Sequence, residues 1–220
     1  PRGDETFTRD AHGTAVAGVI PAAANNRIGI VGVAPVTELL ALKACWPDAP
    51  GSRQATCDSY TLALALDFAI QSGARVLNLS LAGPDDPLLG RLLESAERRG
   101  VLAVTAVDET GAAPFPASAP SVVAVRAASP STAGMSTLSP APSTGRPAAL
   151  RAPGTDVLTT GPGGTYDFYS GSSLAAAHVS GVAALLLERR PDLSVSALRE
   201  LLRRSGVETA DGARLSACSA

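Results

Sequence analysis

Lysine is almost missing from this chain: Lys43 is the single lysine among 18 basic residues, and arginine supplies the other seventeen. That skew reads as coding bias rather than as chemistry. Charge of one sign is missing too. The formal net charge of −2 gives no support for nucleic-acid binding, which calls for a basic patch. Histidine is scarce, with only His12 and His178, so any imidazole chemistry must fall on one of these two. No apolar run is long enough to cross a membrane. The longest, residues 174 to 187, is interrupted by His178 and Ser180 and reads as a buried helix. A signal-peptide pattern is absent, and the chain opens with Pro1 rather than Met. It therefore reads as a mature or truncated product.

What is present is apolar. The 220 residues are 45% hydrophobic, enough for one sizeable core, and a single domain over 1–220 is expected. Three runs have the continuous apolarity of strands buried on both faces: Arg75 to Ser80, Val101 to Ala106 and Ser121 to Arg126. Leu39 to Ala44 is expected to add a fourth. Helical spacing marks Ser59 to Ser72, closed by Gly73, and Pro87 to Arg99. An amphipathic helix, Ser194 to Arg204, closes the pattern at Gly206. Strand and helix in alternation mean right-handed crossovers. The expected fold class is α/β, a three-layer sandwich with a mainly parallel sheet and helices on both faces. Residues 129 to 147, rich in Ser, Pro, Thr, Ala and Gly, read as a surface loop.

Cys45 and Cys57 flank a polar loop holding Trp46, Pro47, Pro50 and Gly51. A disulfide closing that loop would fit an exported protein, whereas two unrelated buried thiols would not form one. Cys218 is left over, free or paired outside this chain.

Gly171-Ser172-Ser173-Leu174-Ala175-Ala176-Ala177-His178-Val179-Ser180-Gly181 is a small-residue turn that places serine at the mouth of an apolar helix. Unpaired N–H groups and the positive end of the helix dipole gather there. They suit a nucleophile whose reaction builds negative charge. A plain capping serine is the alternative. His178 lies five residues after Ser173. At about 100° per residue it points roughly 140° away, so a structural role is expected for it. His12 is the remaining candidate base, and it opens another small-residue helix start, His12-Gly13-Thr14-Ala15.

His12-Gly13-Thr14, Val33-Ala34-Pro35, Asn78-Leu79-Ser80-Leu81-Ala82-Gly83-Pro84, Ala152-Pro153-Gly154 and Gly171-Ser172-Ser173 occur in this order. Together they resemble the subtilisin-like serine peptidases, the subtilases, from about residue 10 to residue 204. The resemblance implies that Ser173 attacks a peptide carbonyl and His12 takes its proton. It implies that Ser80, Leu81, Ala82 and Gly83 pair with an extended polypeptide substrate. Thr105, Ala106 and Val107 would form the other wall of the specificity pocket, with Val107 narrowing it toward small or medium apolar side chains.

Three positions depart from the family pattern. Asp108 stands where the family has an Asn that donates to the oxyanion. An ionised carboxylate cannot donate, and losing that donor costs about 2.7–4 kcal/mol, though a protonated Asp108 could still serve. The triad aspartate is not in this chain: Asp4 and Asp10 precede His12, but neither has the family's Asp-Thr/Ser-Gly setting, and both read as solvated loop carboxylates. A separate N-terminal segment or chain would have to supply both that residue and its strand. Ala177 replaces a proline of the family. Asn25-Asn26-Arg27-Ile28-Gly29-Ile30 resembles a turn that in relatives helps bind calcium, so a structural calcium is one expectation here, with no cofactor required for the reaction. Two readings stay open: a serine endopeptidase, or a catalytically impaired domain that binds extended peptides or partners.

Overall fold

The computed structural model describes residues 9–48, 55–107, 114–128, 149–209 and 212–215. In chain order the elements are α1 (Ala11–Val19), β1 (Cys45–Pro47), β2 (Ala55–Cys57), α2 (Ser59–Gln71), β3 (Val76–Leu79), α3 (Pro87–Arg98), β4 (Leu102–Ala106), β5 (Val122–Ala128), β6 (Leu150–Pro153), β7 (Val157–Gly161), β8 (Thr165–Tyr169), α4 (Ser172–Arg189), α5 (Val195–Arg204), β9 (Gly206–Thr209) and β10 (Gly212–Leu215).

Helix starts are written into the sequence as acceptor side chains. Asp58 accepts the N–H of Thr61, Asp86 those of Leu88 and Leu89 beside Pro87, and Ser194 that of Ala197. Each cap satisfies a donor that the first helical turn leaves open. The apolar runs become strands where expected, with bounds within about two residues. β4 is the most enclosed: Leu102, Ala103 and Val104 are at most 1% exposed.

The main sheet has the order β3-β4-β5-β6-β10-β9. β3 through β6 are parallel, β10 runs parallel to β6, and β9 returns antiparallel to β10. Val76 sits opposite Leu102, Ala103 opposite Val122 and Val125 opposite Leu150. Helices α2 and α3 cover one face through Leu66, Leu89 and Leu93. α4 and α5 cover the other through Val179, Leu186, Leu198 and Leu202. This is the three-layer α/β arrangement that the alternation of patterns implies. Helix α1 packs on the first turns of α4, with Ala15, Val16, Val19 and Ile20 against Leu174 and Ala177. Loop 129–147 and Cys218 lie outside the described residues.

One expected strand does not form. Leu39 to Ala44 carries no regular secondary structure, and Leu39 and Leu40 are each 45% exposed. The physical reason is the lack of a neighbour. A strand must place its backbone groups against another strand about 4.8 Å away, and here a cleft of about 1110 Å³ lies between this segment and β3.

Cys45 and Cys57 face each other across the β1–β2 pair and are joined by a disulfide. Native protein should show no alkylatable thiol at either position. A Cys45→Ser/Cys57→Ser double variant should lose about 2–3 kcal/mol in denaturant unfolding, as for a bridge closing a short loop. Two thiols that react without reductant would refute the bridge.

Candidate active site

The serine turn is held by a close backbone approach. Gly171 has φ +148°, a conformation that L side chains rarely adopt. Its N–H donates to the Gly154 carbonyl at 2.7 Å. A Cβ on Gly154 would lie 2.8 Å from the Gly171 carbonyl oxygen and 2.7 Å from Ala127 Cβ. Glycine is therefore required at both partners, and α4 starts over the carboxyl ends of β5 and β6.

The two adjacent serines then diverge. Ser172 is buried, and its Oγ accepts the Ala127 N–H at 3.2 Å. Ser173 is half-buried and lines a cleft of about 310 Å³ with Ser80, Leu81, Ala82, Ala106, Val107, Gly171 and Ser172. No side chain caps α4, so its leading N–H groups point toward the cleft mouth with the positive end of the dipole. The cleft stands beyond the carboxyl ends of parallel strands, where open α/β sheets place ligands.

Of the residues expected to wall this cleft, Ser80, Leu81, Ala82, Ala106 and Val107 are brought to it. Thr105 is not: it is fully buried, and its Oγ1 donates to the Leu79 carbonyl at 3.0 Å, tying β4 to β3. The Gly83 N–H is already engaged by the Phe115 carbonyl at 2.8 Å, so it is not available to a bound strand. Asp108 lies outside the described residues.

A polar relay links the serine to the body of the sheet. Ser180 Oγ donates to Asn78 Oδ1 at 2.9 Å, Asn78 Nδ2 donates to Ser80 Oγ at 3.0 Å, and Ser80 Oγ donates to the Ser173 carbonyl at 3.3 Å. Ser180 is seven residues past Ser173 and returns to nearly the same helix face. Helix and strand are thereby locked in height at the cleft. In the sequence Asn78 stands only as part of the Asn78 to Pro84 motif, with no role of its own. The signal was a polar residue inside an otherwise apolar strand, together with a serine on the buried helix face.

His12 is the second residue of α1, solvent-accessible but set among protein atoms that desolvate its ring. That desolvation takes it below its ordinary value of 6.5, against the opposing pull of the Asp10 charge, so the imidazole is neutral near pH 7 and able to accept a proton. α1 rests against α4, yet His12 does not line the cleft and no hydrogen bond joins it to Ser173. Asp10 corrects the reading of a solvated loop carboxylate. It is the N-cap of α1, accepting the Gly13 N–H at 2.8 Å, and it pairs with Lys43 Nζ at 2.7 Å. Burial raises its carboxyl, but the hydrogen bonds and charge of Lys43 and the Gly13 amide outweigh this and hold it below 3.8. Asp immediately before a small-residue helix start was a legible cap signal. His178 is structural, as its direction on the helix implied: Nδ1 meets the Leu174 carbonyl at 2.8 Å, and burial lowers its pKa. Asp4 lies outside the described residues.

The 25–30 turn is built on an Asx contact and two positive-φ residues. Asn26 Oδ1 accepts the Ile28 N–H at 3.0 Å, while Asn25 and Arg27 adopt φ of 60° and 62°. Among the described residues no group of three His, Cys, Asp or Glu side chains could hold a metal ion. The turn is closed by its own Asx contact.

A parallel sheet between two helical layers, with an uncapped serine-bearing helix over the strand ends, defines a three-layer α/β domain with a nucleophile-type cleft. The chain belongs to the subtilase family, whose model matches residues 2–218. It is 36% identical over 200 residues to Subtilisin E of Bacillus subtilis, covering 87% of this chain and 49% of that protein. Subtilisin of Bacillus pumilus shows the same identity over 68% of its length. M-protease of Shouchella clausii is 38% identical over 208 residues, covering 91% of this chain and 51% of its own. A serine-to-alanine mutant of the protease domain of PatA superposes with a TM-score of 0.75 at 28% identity, covering 95% of this chain and 78% of that one. The chain thus spans about half the length of several curated relatives it matches.

The Asn78 relay makes a prediction. Asn78→Leu strips the acceptor from the buried Ser180 hydroxyl, 2% exposed, and should cost about 1–3 kcal/mol in unfolding free energy. Adding Ser180→Ala should recover part of that loss. Strict additivity in the double-mutant cycle would show that the two side chains do not interact.

Proposed function

We propose that this chain is a serine endopeptidase domain of subtilisin type, acting on extended polypeptides. The observation that carries it is Ser173, at the uncapped start of α4 and on the wall of the 310 Å³ cleft. Ser173 Oγ attacks the scissile carbonyl while its proton passes to His12. The tetrahedral intermediate collapses as His12 returns that proton to the leaving amine, and water then repeats the sequence to release the acid. The oxyanion develops beside the leading N–H groups of α4, with a protonated Asp108 as a further donor. Substrate lies along Ser80, Leu81 and Ala82, and Val107 favours small or medium apolar side chains. The carboxylate that orients His12 comes from a separate N-terminal segment or chain. The reaction requires no cofactor, and the carbonyls and Asn side chains of the Asn25 to Ile30 turn are the oxygens a structural calcium would use.

A second reading is a pseudo-peptidase that binds extended peptides. It is favoured by one observation: Asp10, the carboxylate nearest His12 in sequence, is committed to Lys43 and to the cap of α1. An exported location suits the Cys45–Cys57 bridge. No helix among the described residues is long and apolar enough to cross a membrane.

A fluorophosphonate probe should label Ser173 in assembled protein, and Ser173→Ala should abolish labelling. Labelling requires neutral His12. The rate should therefore hold above pH 6.5 and fall only as pH drops through the depressed His12 value below it. Assembled protein that never labels, with Ser173→Ala indistinguishable from it, would leave the binding module as the reading.

A further inference from the structure

We infer that Arg126 and Arg151 form an anion seat beside the Ser173 cleft, and that its occupant is an acidic polypeptide segment whose carboxylates the two guanidinium groups grip. That the occupant is polypeptide rests on the function proposed above, in either of its readings; the seat itself does not.

Strand register creates the seat. Arg126 of β5 stands opposite Arg151 of β6, and Arg214 of β10 takes the next register position. Paired strands lie about 4.8 Å apart, and like charges directly opposite each other are destabilising. Arg199 shows what a half-buried arginine is given elsewhere in this fold: it bonds to Glu97 and to the Ser121 carbonyl. Arg126 and Arg151 are half-buried as well, yet neither has a hydrogen bond or ion pair among the described residues. Val125, Leu150 and Ala152 pack in the cluster under α4 and α5, so by strand alternation Arg126 and Arg151 point to the other face. On that face Val122 is the one residue of β5 that joins the cluster beneath α2 and α3, and β6 contributes none. The two cations therefore sit on a part of the sheet that neither described helix layer neutralises.

The row begins at the cleft. Ala106 stands opposite Val125, and the Val107 N–H bonds to the Val125 carbonyl, which puts Val107 in the position beside Arg126. Val107 lines the 310 Å³ cleft together with Ser173. A polypeptide that overhangs the Val107 wall meets Arg126 and then Arg151. Chemistry selects carboxylates for it. A guanidinium fork matches a carboxylate with two parallel hydrogen bonds. Phosphate sites draw on free backbone N–H groups, whereas here the strands are paired in the ladder and the Ala127 N–H is taken by Ser172. Nucleic acid calls for a broad basic surface, and the chain has a formal net charge of −2.

The test measures binding of a fluorescein-labelled peptide, Gly-Glu-Glu-Ala-Glu-Glu-Gly, and of its Gln version to the 220-residue chain. The Ser173→Ala form is measured alongside, so that cleavage of the peptide does not enter. The Glu peptide should bind at least tenfold more tightly than the Gln peptide, and salt should erase the difference. Arg126→Gln with Arg151→Gln should also erase it without lowering the thermal midpoint, because a repulsive pair is removed. Arg126→Glu with Arg151→Glu should reverse the preference toward a Lys version of the peptide. Equal binding of the Glu and Gln peptides, or a preference that survives the double Gln variant, overturns the seat. A phosphoserine version or duplex DNA that binds tenfold more tightly than the Glu peptide overturns acidic polypeptide as the occupant. The expected preference in a chain that a fluorophosphonate never labels upholds the seat and removes the proposed catalysis instead.

Discussion

The hydrogen bond from the Gly171 N–H to the Gly154 carbonyl fixes everything around the candidate site. At 2.7 Å it brings two backbones closer than any Cβ on Gly154 permits. The contact decides where α4 begins, and α4 is the helix on which the fold is assembled. Twelve of its eighteen residues are buried. Val179, Val182 and Leu186 pack in the cluster that holds β4, β5 and β6, and Leu174 and Ala177 receive α1. Moving the start of α4 would shift the serine, the sheet packing and the histidine-bearing helix together.

Polar contacts then set the height of the serine. The relay from Ser180 through Asn78 and Ser80 reaches the Ser173 carbonyl, and Thr105 ties β4 to β3 one strand over. Each hydroxyl sits in an environment where an unpaired polar group would cost more than the bond contributes. Satisfied networks of this kind define one arrangement of helix against strand. α1 is anchored differently, by Asp10 as cap and ion-pair partner of Lys43. Burial alone would raise the Asp10 pKa, and its partners reverse that. This contribution is present above the ordinary carboxylate value and lost as pH falls through the lowered one.

The main sheet has β3 at one edge and β9 at the other. β3 to β6 form a continuous parallel ladder, and β3 faces a cleft lined by helices of both layers. The edge strand β3 and the Leu39 to Ala44 segment face the same cleft.

Local signals carried much of this architecture. Continuous apolarity marked β3, β4 and β5, because strands covered by helices on both faces need apolar residues at every position. Asp58, Asp86 and Ser194 marked helix starts, because a short acceptor satisfies the first open N–H groups. The small-residue turn at 171–173 was legible for the same reason: glycine and serine are what a tight, uncapped helix entry admits. Tertiary structure decided the rest. Leu39 to Ala44 has the composition of a strand, but pairing is non-local, and only the fold shows that its neighbour is not there. Thr105 and Gly83 looked like cleft residues until β3 and Phe115 claimed their polar groups. Asp10 was a loop carboxylate in one dimension and became a cap and an ion pair because Lys43, thirty-three residues away, is folded onto it. The sequence by itself determined which residues could act. Which of them meet was decided by packing, since hydrogen-bond partners and burial belong to neighbours that the chain order does not name.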